Sequence, residues 1–597
     1  MNPDRQWALD PSQGVKPLDF GTDGVTGSVD PSGRLIALNT YHERYGYVTL
    51  TVGAPFPETE RYHPAEVRAY RRSLAALKGF GPRFSQSVTR QEAFLLEHAL
   101  PYIRLHFEDG TPAEVTTFAH SYGAVQLWQC PHPPRWQGRL SLQRCAYTQL
   151  TEGGPVEMPP IESLLSFKDG VLVLENPALP IAAAIAGFAA VEAEWFWQVD
   201  GPVDVDLPGQ AGVTALIYAF GPTAETAQRR ASQLAAQDMS LLLEQELERW
   251  RAYVGDADRV TARGLVYSLM LAVPVGETRC LLTDHMLLPL SWNRDAYYTA
   301  IALLDQRPDI VRQHLLWMFE LAERPGGMWG CCYLANGHIK DKAYQLDQQL
   351  FPLLELAEYV SAVGDQALWE RLRPYITTVE DTLLRHRHPQ HWLFPTDETP
   401  ADDPLTFPYH LSSHILLWRT FSRLYQIEQQ PEWKALAAGV RETVFEHFTV
   451  DHQGHKLLAY AIDAQGGYRL YHDANDLPLA LAPMWGFVET NDSVWRATIA
   501  FAFSDQNIGG YYTGRLGSVH TPAPWPLGDI QEMLIARALH DTECEQRALH
   551  FLSEAAQWDG ALPEAYDPAA GEVVSRHWFA WPNAALTCLL QRGTPPF

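Results

Sequence analysis

The sequence predicts an α+β multidomain protein with an N-terminal antiparallel β-sandwich, a helical linker and a C-terminal (α/α)6 toroid. Up to about residue 220, apolar residues alternate with period two in short runs that Gly, Pro and Asp interrupt, which is typical of strands. From Thr223 onward, apolar residues recur at three and four positions instead, which is helical spacing. We therefore assign residues 1–222 to the sandwich, 223–256 to the linker and 257–597 to the toroid.

The sandwich prediction rests on short strand-like segments bounded by turn residues, which indicate paired antiparallel sheets. Residues 64–78 break this pattern and are predicted to form one helical insertion. The clearest alternating runs are at 34–39, 47–52, 102–107, 124–129, 171–175, 192–199 and 213–220.

The helical part begins with residues 223–254, which contain neither Gly nor Pro and are predicted to form linker helices starting at Thr223. Twelve further helices follow, and the links between them alternate between short and long. Short links make neighbours antiparallel, so we expect six helical hairpins whose long loops share one rim if the hairpins close into a ring. The predicted helices lie near 257–275, 294–305, 308–322, 343–363, 366–385, 409–428, 430–447, 475–487, 491–503, 525–540, 542–557 and 578–591.

The composition narrows the class of partner. The 597 residues include 45 Lys plus Arg against 71 Asp plus Glu, a formal net charge of -26. Such a surface repels phosphate backbones and anionic lipid, so we expect no nucleic acid and no membrane as partner. The start lacks a signal-peptide pattern, and the apolar stretch at 179–191 is too short to cross a bilayer. Seven scattered cysteines form neither a disulfide framework nor a zinc pattern, which favours a cytoplasmic location.

The long loops combine carboxylates with aromatic and polar side chains. The loop before the helix near 409 contains Asp402 and Asp403, and the last long loop contains Glu564. Glycoside hydrolysis needs one carboxylic acid and one carboxylate on opposite sides of the bond, so these three residues are the catalytic candidates. Motifs for competing chemistries, such as HExxH, GxSxG or a P-loop, are absent from the sequence. The candidate substrate-binding residues are Trp292, Arg294, Asp295, Trp329, Gln348, Asn475, His520, Thr521, Trp525 and Trp578.

Each candidate also has a purely structural interpretation. Asp295 and one of the Asp402–Asp403 pair stand near predicted helix starts, where aspartate often caps a helix. Glu564 follows a proline in a loop, where surface carboxylates are common. We interpret Asp397 and Glu398 as solvated loop acids. His520 could be a satisfied loop histidine, while Trp578 and Trp581 could belong to the core.

Five motifs carry a resemblance to a known family. They are WNRD at 292–295, DD in PADDP, DAN at 473–475, GSVHTP at 517–522 continuing into WPL at 525–527, and HWFAWPNA at 577–584. In them the chain resembles inverting α-glycosidases with six-hairpin toroids, and most closely glycoside hydrolase family 125, the metal-independent exo-α-mannosidases. The resemblance covers roughly residues 290–590.

The resemblance implies roles for individual residues. Glu564 matches the general base, and Asp403 or its neighbour Asp402 matches the general acid. Arg294 and Asp295 match residues that hold hydroxyls of the terminal sugar, whereas His520, Thr521 and Trp578 match further walls of that subsite. The family works without metal or cofactor, so we expect neither.

Two features depart from the family pattern. The chain reads PEA where the family usually reads HES at the base, and it adds an N-terminal sandwich in a glucoamylase-like layout. The predicted function is therefore an exo-acting inverting hydrolase that releases a terminal α-linked sugar, mannose first and glucose as the alternative. The expected partner is an α-linked oligosaccharide or a small glycoside.

Other classes of function stay open at this stage. An inverting phosphorylase would need a cationic pocket, for which Arg294, Arg515 and Arg576 are available. A sugar epimerase or lyase would use histidine bases, and His472, His520 and His577 keep that alternative. The chain could also be a non-catalytic sugar-binding protein.

Overall fold

Two large antiparallel sheets precede an almost entirely helical region in this chain. The computed structural model describes residues 6–22, 24–53, 69, 72–73, 76–145, 156, 158–189, 194–577 and 579–592. Trp578 and most of the predicted insertion at 64–78 lie outside the described residues. The predicted N-terminal antiparallel strands and C-terminal helices are confirmed.

The first sheet has ten strands in the order β1-β7-β8-β9-β10-β17-β14-β13-β12-β15, and the second runs β16-β11-β5-β4-β3-β2 with β6 beside β11. Side chains alternate as expected for half-buried strands: in β16, Val203, Val205 and Leu207 are buried whereas Asp204 and Asp206 are exposed. The strands are β1 Gln6–Leu9, β2 Leu18–Thr22, β3 Val25–Val29, β4 Leu35–His42, β5 Gly46–Thr51, β6 Gly81–Arg83, β7 Val88–Leu96, β8 Leu100–Phe107, β9 Pro112–His120, β10 Gly123–Cys130, β11 Arg135–Arg144, β12 Glu162–Lys168, β13 Val171–Glu175, β14 Ala182–Ala186, β15 Trp195–Asp200, β16 Val203–Pro208 and β17 Gly212–Gly221.

One apolar core draws side chains from both sheets. It contains Leu38 and Trp136 from the second sheet together with Trp128 and Phe167 from the first. Trp558, which lies far along the chain in the helical region, belongs to the same core. The two regions are therefore packed against each other at this point.

Two linker helices, α1 (Ala224–Ala235) and α2 (Met239–Val254), connect the regions. The Oγ1 of Thr223 accepts a hydrogen bond from the Thr226 backbone N–H at 3.2 Å, so α1 starts where the sequence predicted. Asp238 caps α2 by accepting from the N–H groups of Ser240 and Leu241. Both caps satisfy backbone donors that a helix leaves free at its first turn.

All twelve helices predicted beyond the linker are present. A short link follows every second helix of this series up to the tenth, whereas a long link follows each of the others, as the sequence indicated. The helices are α3 Arg259–Met270, α4 Asn293–Leu303, α5 Pro308–Leu316, α6 Leu346–Val363, α7 Gln366–His386, α8 Leu411–Ile427, α9 Pro431–Thr443, α10 Leu477–Trp485, α11 Ser493–Ala502, α12 Pro526–Leu539, α13 Thr542–Ala556 and α14 Ala580–Arg592.

The even-numbered helices from α4 to α14, here called the inner helices, contact one another in sequence, and α14 contacts α4. Every residue of α4 is buried, as expected for a helix enclosed on all sides. The odd-numbered helices from α3 to α13 are here called the outer helices. One of them, α7, is amphipathic and buries Leu368, Leu372, Ile376 and Leu383 along one face. The long links therefore converge on the N-termini of the inner helices.

The long links themselves contain short strands. These are β18 Ala272–Val275, β19 Thr278–Leu281, β20 Leu290–Ser291, β21 Cys332–Leu334, β22 Ile339–Asp341, β23 Tyr409–His410, β24 Thr449–His452, β25 His455–Leu458, β26 Ala461–Ile462, β27 Tyr468–Arg469, β28 Tyr511–Tyr512, β29 Arg515–Ser518, β30 Ala523–Pro524, β31 Ala565–Asp567 and β32 Glu572–Ser575. None of the helices in the described part of the chain combines the length and the hydropathy needed to span a bilayer.

Candidate active site

A buried arginine organises the N-terminal ends of α4 and α6. The Nη1 of Arg294 lies 3.1 Å from Asp347 Oδ2, and its Nε lies 3.4 Å from Asp295 Oδ1. Its Nη2 lies 3.7 Å from Asp402 Oδ1, and the Trp581 ring is 4.8 Å below the guanidinium carbon. Burial lowers the pKa of Arg294, but the surrounding carboxylates outweigh burial and hold the pKa above its usual range. The site therefore has a permanent cation at its centre.

Asp295 is part of this cluster and does not cap α4. The helix has no side-chain cap at Trp292, and Asp295 Oδ2 accepts a hydrogen bond from Thr283 Oγ1 at 2.5 Å. Burial raises the pKa of Asp295 to about 6, although the neighbouring Arg294 lowers it. Its carboxyl group is thus held in the site by two elements.

Gln345, the residue before α6, connects three side chains. Its Nε2 lies 2.7 Å from Asp402 Oδ1, 2.9 Å from Glu398 Oε2 and 3.2 Å from Cys331 Sγ. The interpretation of Glu398 as a solvated loop acid is wrong, because its carboxylate faces this buried amide. The donor atoms of Cys331, Glu398 and Asp402 lie within 4.8 Å of one another. They are the described residues best placed for a metal, but the amide already contacts all three.

A tight turn sends the two neighbouring aspartates in different directions. Asp402 has a φ of 62°, in the left-handed region, and Thr399 closes the turn by accepting the Asp402 N–H at 3.0 Å. Asp402 therefore faces Gln345 and Arg294, whereas Asp403 faces His520. Neither caps α8, because His410 is its N-cap.

His520 links the carboxylates electrostatically. Its Nδ1 lies 3.4 Å from Asp403 Oδ1. Burial lowers the pKa of the His520 imidazole, whereas the hydrogen bond to Asp403 raises it. The negative charges of Asp403, Glu564 and Asp402 raise it further, so the pKa reaches about 9. The imidazole therefore contacts Asp403, is influenced by the charges of Asp402 and Glu564, and is cationic at neutral pH.

Glu564 is buried, not a surface carboxylate: its side chain is 2% exposed. It lies in the loop of residues 557–577, here called the Glu564 loop, which contains the β31–β32 hairpin. The hairpin returns the chain so that Arg576 Nη2 lies 2.8 Å from Glu564 Oε1. The backbone N–H of Glu564 also donates to the Arg576 carbonyl at 3.3 Å.

A line of alternating charges joins the two halves of the site. Asp402 contacts Arg294, and Arg294 contacts Asp295. The charges of Arg576 and Asp402 both shift the pKa of Asp295, and Arg576 contacts Glu564. Carboxylates that are far apart in the chain thus meet in one cluster.

The other predicted residues divide into two groups. Gln348 contacts the cluster directly, since its Oε1 accepts the backbone N–H of Arg294 at 3.2 Å. Trp292, Asn475 and Thr521 are buried in the chain segments that lead into α4, α10 and α12. Trp525 donates its Nε1–H to the Thr521 carbonyl at 3.0 Å. Trp329 donates to the Met318 carbonyl and is 2% exposed, so it serves the core in this structure.

Several arginine and histidine side chains that a phosphorylase or an epimerase would use already have partners in this structure. Arg515 forms a buried pair with Asp529, its Nε lying 3.1 Å from Asp529 Oδ1. His577 Nε2 lies 3.0 Å from Asp19 Oδ2, and His472 Nε2 lies 2.9 Å from Gln531 Oε1. Of the groups that a phosphorylase or an epimerase would use, Arg294, Arg576 and His520 are therefore the ones at the cluster.

The sequence patterns do not predict Gln345, Asp347 and Arg576 as candidate site residues, and they predict Glu398 to be a solvated loop acid. The first two stand with Gln348 in the polar stretch that opens α6. Polar residues on an otherwise enclosed helix are a detectable signal, because burial of such groups requires partners. Arg576 gave no comparable signal beyond its sign of charge.

A family model matches the C-terminal part of the chain. Residues 393–590 match the model of a family described as metal-independent alpha-mannosidase (GH125). The matched segment contains Asp402, Asp403, His520 and Glu564. The chain is a glycoside hydrolase. The resemblance stated from the motifs is thereby confirmed.

One solved structure shows the fold over nearly the whole chain. A bacterial glucoamylase complexed with acarbose has 11% sequence identity to this glycoside hydrolase and a TM-score of 0.65, covering 98% of this chain and 94% of that chain. A metal-independent α-mannosidase from Streptococcus pneumoniae, in a non-productive complex with α-1,6-mannobiose, has 17% identity and a TM-score of 0.47. It covers 59% of this chain and 97% of that chain. No curated protein matches the sequence.

Proposed function

We propose that this glycoside hydrolase is an exo-acting, inverting α-mannosidase whose inner and outer helices form an (α/α)6 toroid. The observation that carries the proposal is the charge cluster at the inner-helix N-termini. In this cluster Asp403 contacts His520 and Asp402 contacts Arg294, and the charge of Glu564, from a separate loop, contributes to the raised pKa of His520. Two carboxyl groups acting across one bond are what single-displacement hydrolysis requires.

Glu564 is the proposed general base. A general base must be ionised, and a cation at hydrogen-bond distance favours the ionised carboxylate. Arg576 is such a cation, since its Nη2 lies 2.8 Å from Glu564 Oε1. The carboxylate would take a proton from the water that attacks the anomeric carbon.

Asp403 is the proposed general acid, and Asp402 is proposed to bind sugar hydroxyls. Asp402 Oδ1 is already engaged by Gln345, and its side chain is only 11% exposed. The Asp403 side chain is 32% exposed and pairs with His520, whose imidazolium is the proton source at neutral pH because the pKa of His520 is raised to about 9. Asp403 would pass that proton to the glycosidic oxygen.

Arg294 and Asp295 are proposed to hold hydroxyls of the terminal sugar. Each presents a charged group to the cluster while being fixed by a second element. Charged hydrogen-bonding groups that are already oriented stabilise a bound transition state without reorganisation cost. The substrate class is an α-linked oligosaccharide or a small α-glycoside. None of the seven cysteines, all of which the structure describes, forms a disulfide, which supports a reducing cytoplasmic setting.

Hydrolysis of 4-nitrophenyl α-D-mannoside and α-D-glucoside by the purified full chain tests the sugar. We expect mannoside to be preferred. Because the bacterial glucoamylase that shares the fold is complexed with acarbose, preference for glucoside is the informative alternative. It would assign an α-glucosidase to the same residues.

The anomeric form of the first-released sugar tests the mechanism. Proton NMR during the first turnovers should show the β-anomer, as inversion at an α-linkage requires. Inversion also requires the two carboxyl groups to lie about 6.5–9.5 Å apart in a substrate complex, with a water between. Release of the α-anomer, or a separation of about 5 Å, would overturn the inverting assignment.

A further inference from the structure

A short N-terminal segment, residues 14–19, packs against the Glu564 loop. The Trp558 backbone N–H donates to the Gly14 carbonyl at 3.2 Å, and the Trp558 Nε1–H donates to the Lys16 carbonyl at 3.0 Å. Gly14 has a φ of 95°, and a Cβ there would lie 2.6 Å from the Gln557 side chain. The positive φ favours glycine at this position, whereas the close atoms belong to a side chain that can move.

Lys16 contacts both stems of the Glu564 loop: the first stem, which precedes Glu564, and the second, which follows Arg576. Its Nζ donates to the Ala561 carbonyl, donates to the His577 carbonyl at 3.0 Å and lies 2.9 Å from Asp559 Oδ1. The Lys16 side chain is 2% exposed and that of Asp559 is 0% exposed. One ammonium group therefore contacts the loop at two places, three residues before Glu564 and one residue after Arg576.

Asp19, in β2, holds the second stem. Its Oδ2 lies 3.0 Å from His577 Nε2 and accepts a hydrogen bond from Tyr267 at 3.0 Å. Its Oδ1 lies 3.3 Å from His285 Nε2, and His285 is in the long link that leads to α4. One carboxylate thus ties the Glu564 loop to the loop before Arg294.

Such a buried charge cluster is weak evidence for stability, because desolvation offsets most of the attraction between buried ions. It does define one geometry, since every ion and carbonyl in it needs its partner. The cluster is placed at the two stems of the loop that carries the proposed base and its cation. The stems, not the hairpin tip, decide where Glu564 and Arg576 lie.

We propose that the N-terminal domain acts as a positioning element for hydrolysis, with Lys16 and Asp19 as positioning residues that hold the Glu564 loop in its productive geometry. This inference rests on the proposed role of Glu564. It gives the N-terminal domain a function in the reaction itself, distinct from that of a separate sugar-binding module.

The variants Lys16→Met and Asp19→Asn each remove one charge and keep the shape of the side chain. We expect kcat on 4-nitrophenyl α-D-mannoside to fall about 10–100-fold, because a misplacement of about 1 Å costs up to about 100-fold. In Lys16→Met the KM should stay within about twofold, since the Lys16 contacts described above are all to the Glu564 loop. Asp19→Asn is expected to shift the KM more, because Asp19 also contacts His285 in the link that leads to Arg294. Asn336→Ala is the matched control: Asn336 Nδ2 donates to the Glu43 carbonyl at 2.7 Å, across the same interface but away from the Glu564 loop.

Hydrogen exchange measured by mass spectrometry separates positioning from mere folding. In both variants, peptides from 557–577 should exchange at least tenfold faster, whereas peptides covering Gln345 to Gln349 should exchange as in the wild type. The control should change neither. Unchanged kcat per folded molecule in both variants, or unchanged exchange in the loop, would overturn the proposal.

The exchange experiment needs no turnover, so it also distinguishes the two hypotheses. One outcome is that the wild type hydrolyses neither nitrophenyl glycoside but the Glu564 loop exchanges faster in both variants. The proposed function then fails, whereas the positioning of the loop by Lys16 and Asp19 is supported. The other outcome is that the wild type is active, and that in the variants KM rises, kcat falls and hydrogen exchange becomes faster throughout the chain. Lys16 and Asp19 are then structural residues and the proposal is wrong.

Discussion

The acid side and the base side of the site are built differently. The acid side contains the proposed acid Asp403, which contacts His520, together with Asp402, Glu398 and Arg294, which contact Gln345. The base side consists of Glu564 and Arg576, whose loop is held by Lys16 and Asp19 of the N-terminal region. The carboxylates of the acid side are thus held by side chains of the helical region, whereas the loop of the base side is held by side chains of a second region of the chain.

This difference indicates how a single helical scaffold acquires two kinds of control. The acid side is stabilised by the packing of α4 and α6, which is local to neighbouring helices. The base side is stabilised across an interface between regions that are distant in sequence. A change at Lys16, whose contacts described above are all to the Glu564 loop, is therefore expected to affect the base side more than the acid side.

The largest expected effect tests the base side directly. Glu564→Gln keeps the shape of the side chain but cannot accept a proton, so kcat should fall about 10²–10⁴-fold. Steady-state kinetics on 4-nitrophenyl α-D-mannoside measures it. Glu572→Gln is the matched control, because Glu572 is an exposed carboxylate in the same loop. Equal activity of the two variants would show that Glu564 is not the base.

The acid side should respond most strongly in stability. Arg294→Met leaves the carboxylates of Asp295 and Asp347 buried without their cation, which should cost about 3–5 kcal/mol of unfolding free energy. Urea denaturation followed by fluorescence measures it. Arg307→Met removes an exposed pair with Asp309 and should cost at most about 1 kcal/mol. A cost as small for Arg294 would show that the cluster is not organised by that cation.

The two neighbouring aspartates should differ in their dependence on the leaving group. Asp403→Asn should lower kcat/KM about 10²–10⁴-fold on a mannobiose, whose leaving alcohol needs a proton. It should have a much smaller effect on 2,4-dinitrophenyl α-mannoside, whose leaving group does not. Asp402→Asn should lower kcat/KM on both substrates to a similar extent, mainly because KM rises. The opposite pattern would exchange the roles of Asp402 and Asp403.

The smallest expected effect concerns pH. The pKa of His520 is raised to about 9, from an ordinary value of about 6.5, so the imidazolium form stabilises the folded site. That contribution is complete below about pH 6.5 and is lost as pH rises through about 9. We expect kcat/KM of the wild type to decline near pH 9, and His520→Gln to remove that decline while lowering activity about tenfold. A decline that persists in the variant would assign it to another group.

The sequence predicted much of the fold because its signals are local. The period of apolar residues and the alternation of short and long links located the strands, the linker and all twelve helices. It also placed Arg294, Asp402, Asp403 and Glu564 in loops that meet. It was wrong on Glu398, because whether a loop acid is solvated depends on what packs over the loop.

Taken alone, the sequence determined the order of elements, the rim that carries the long loops and the chemical types gathered there, since periodicity and link length act between near neighbours. Only the tertiary structure decided that Asp402 and Asp403 face different partners, that Arg576 lies beside Glu564 and that Lys16 reaches the Glu564 loop. Those contacts join residues that are far apart in the chain, and they arise from packing and charge pairing that no local pattern records.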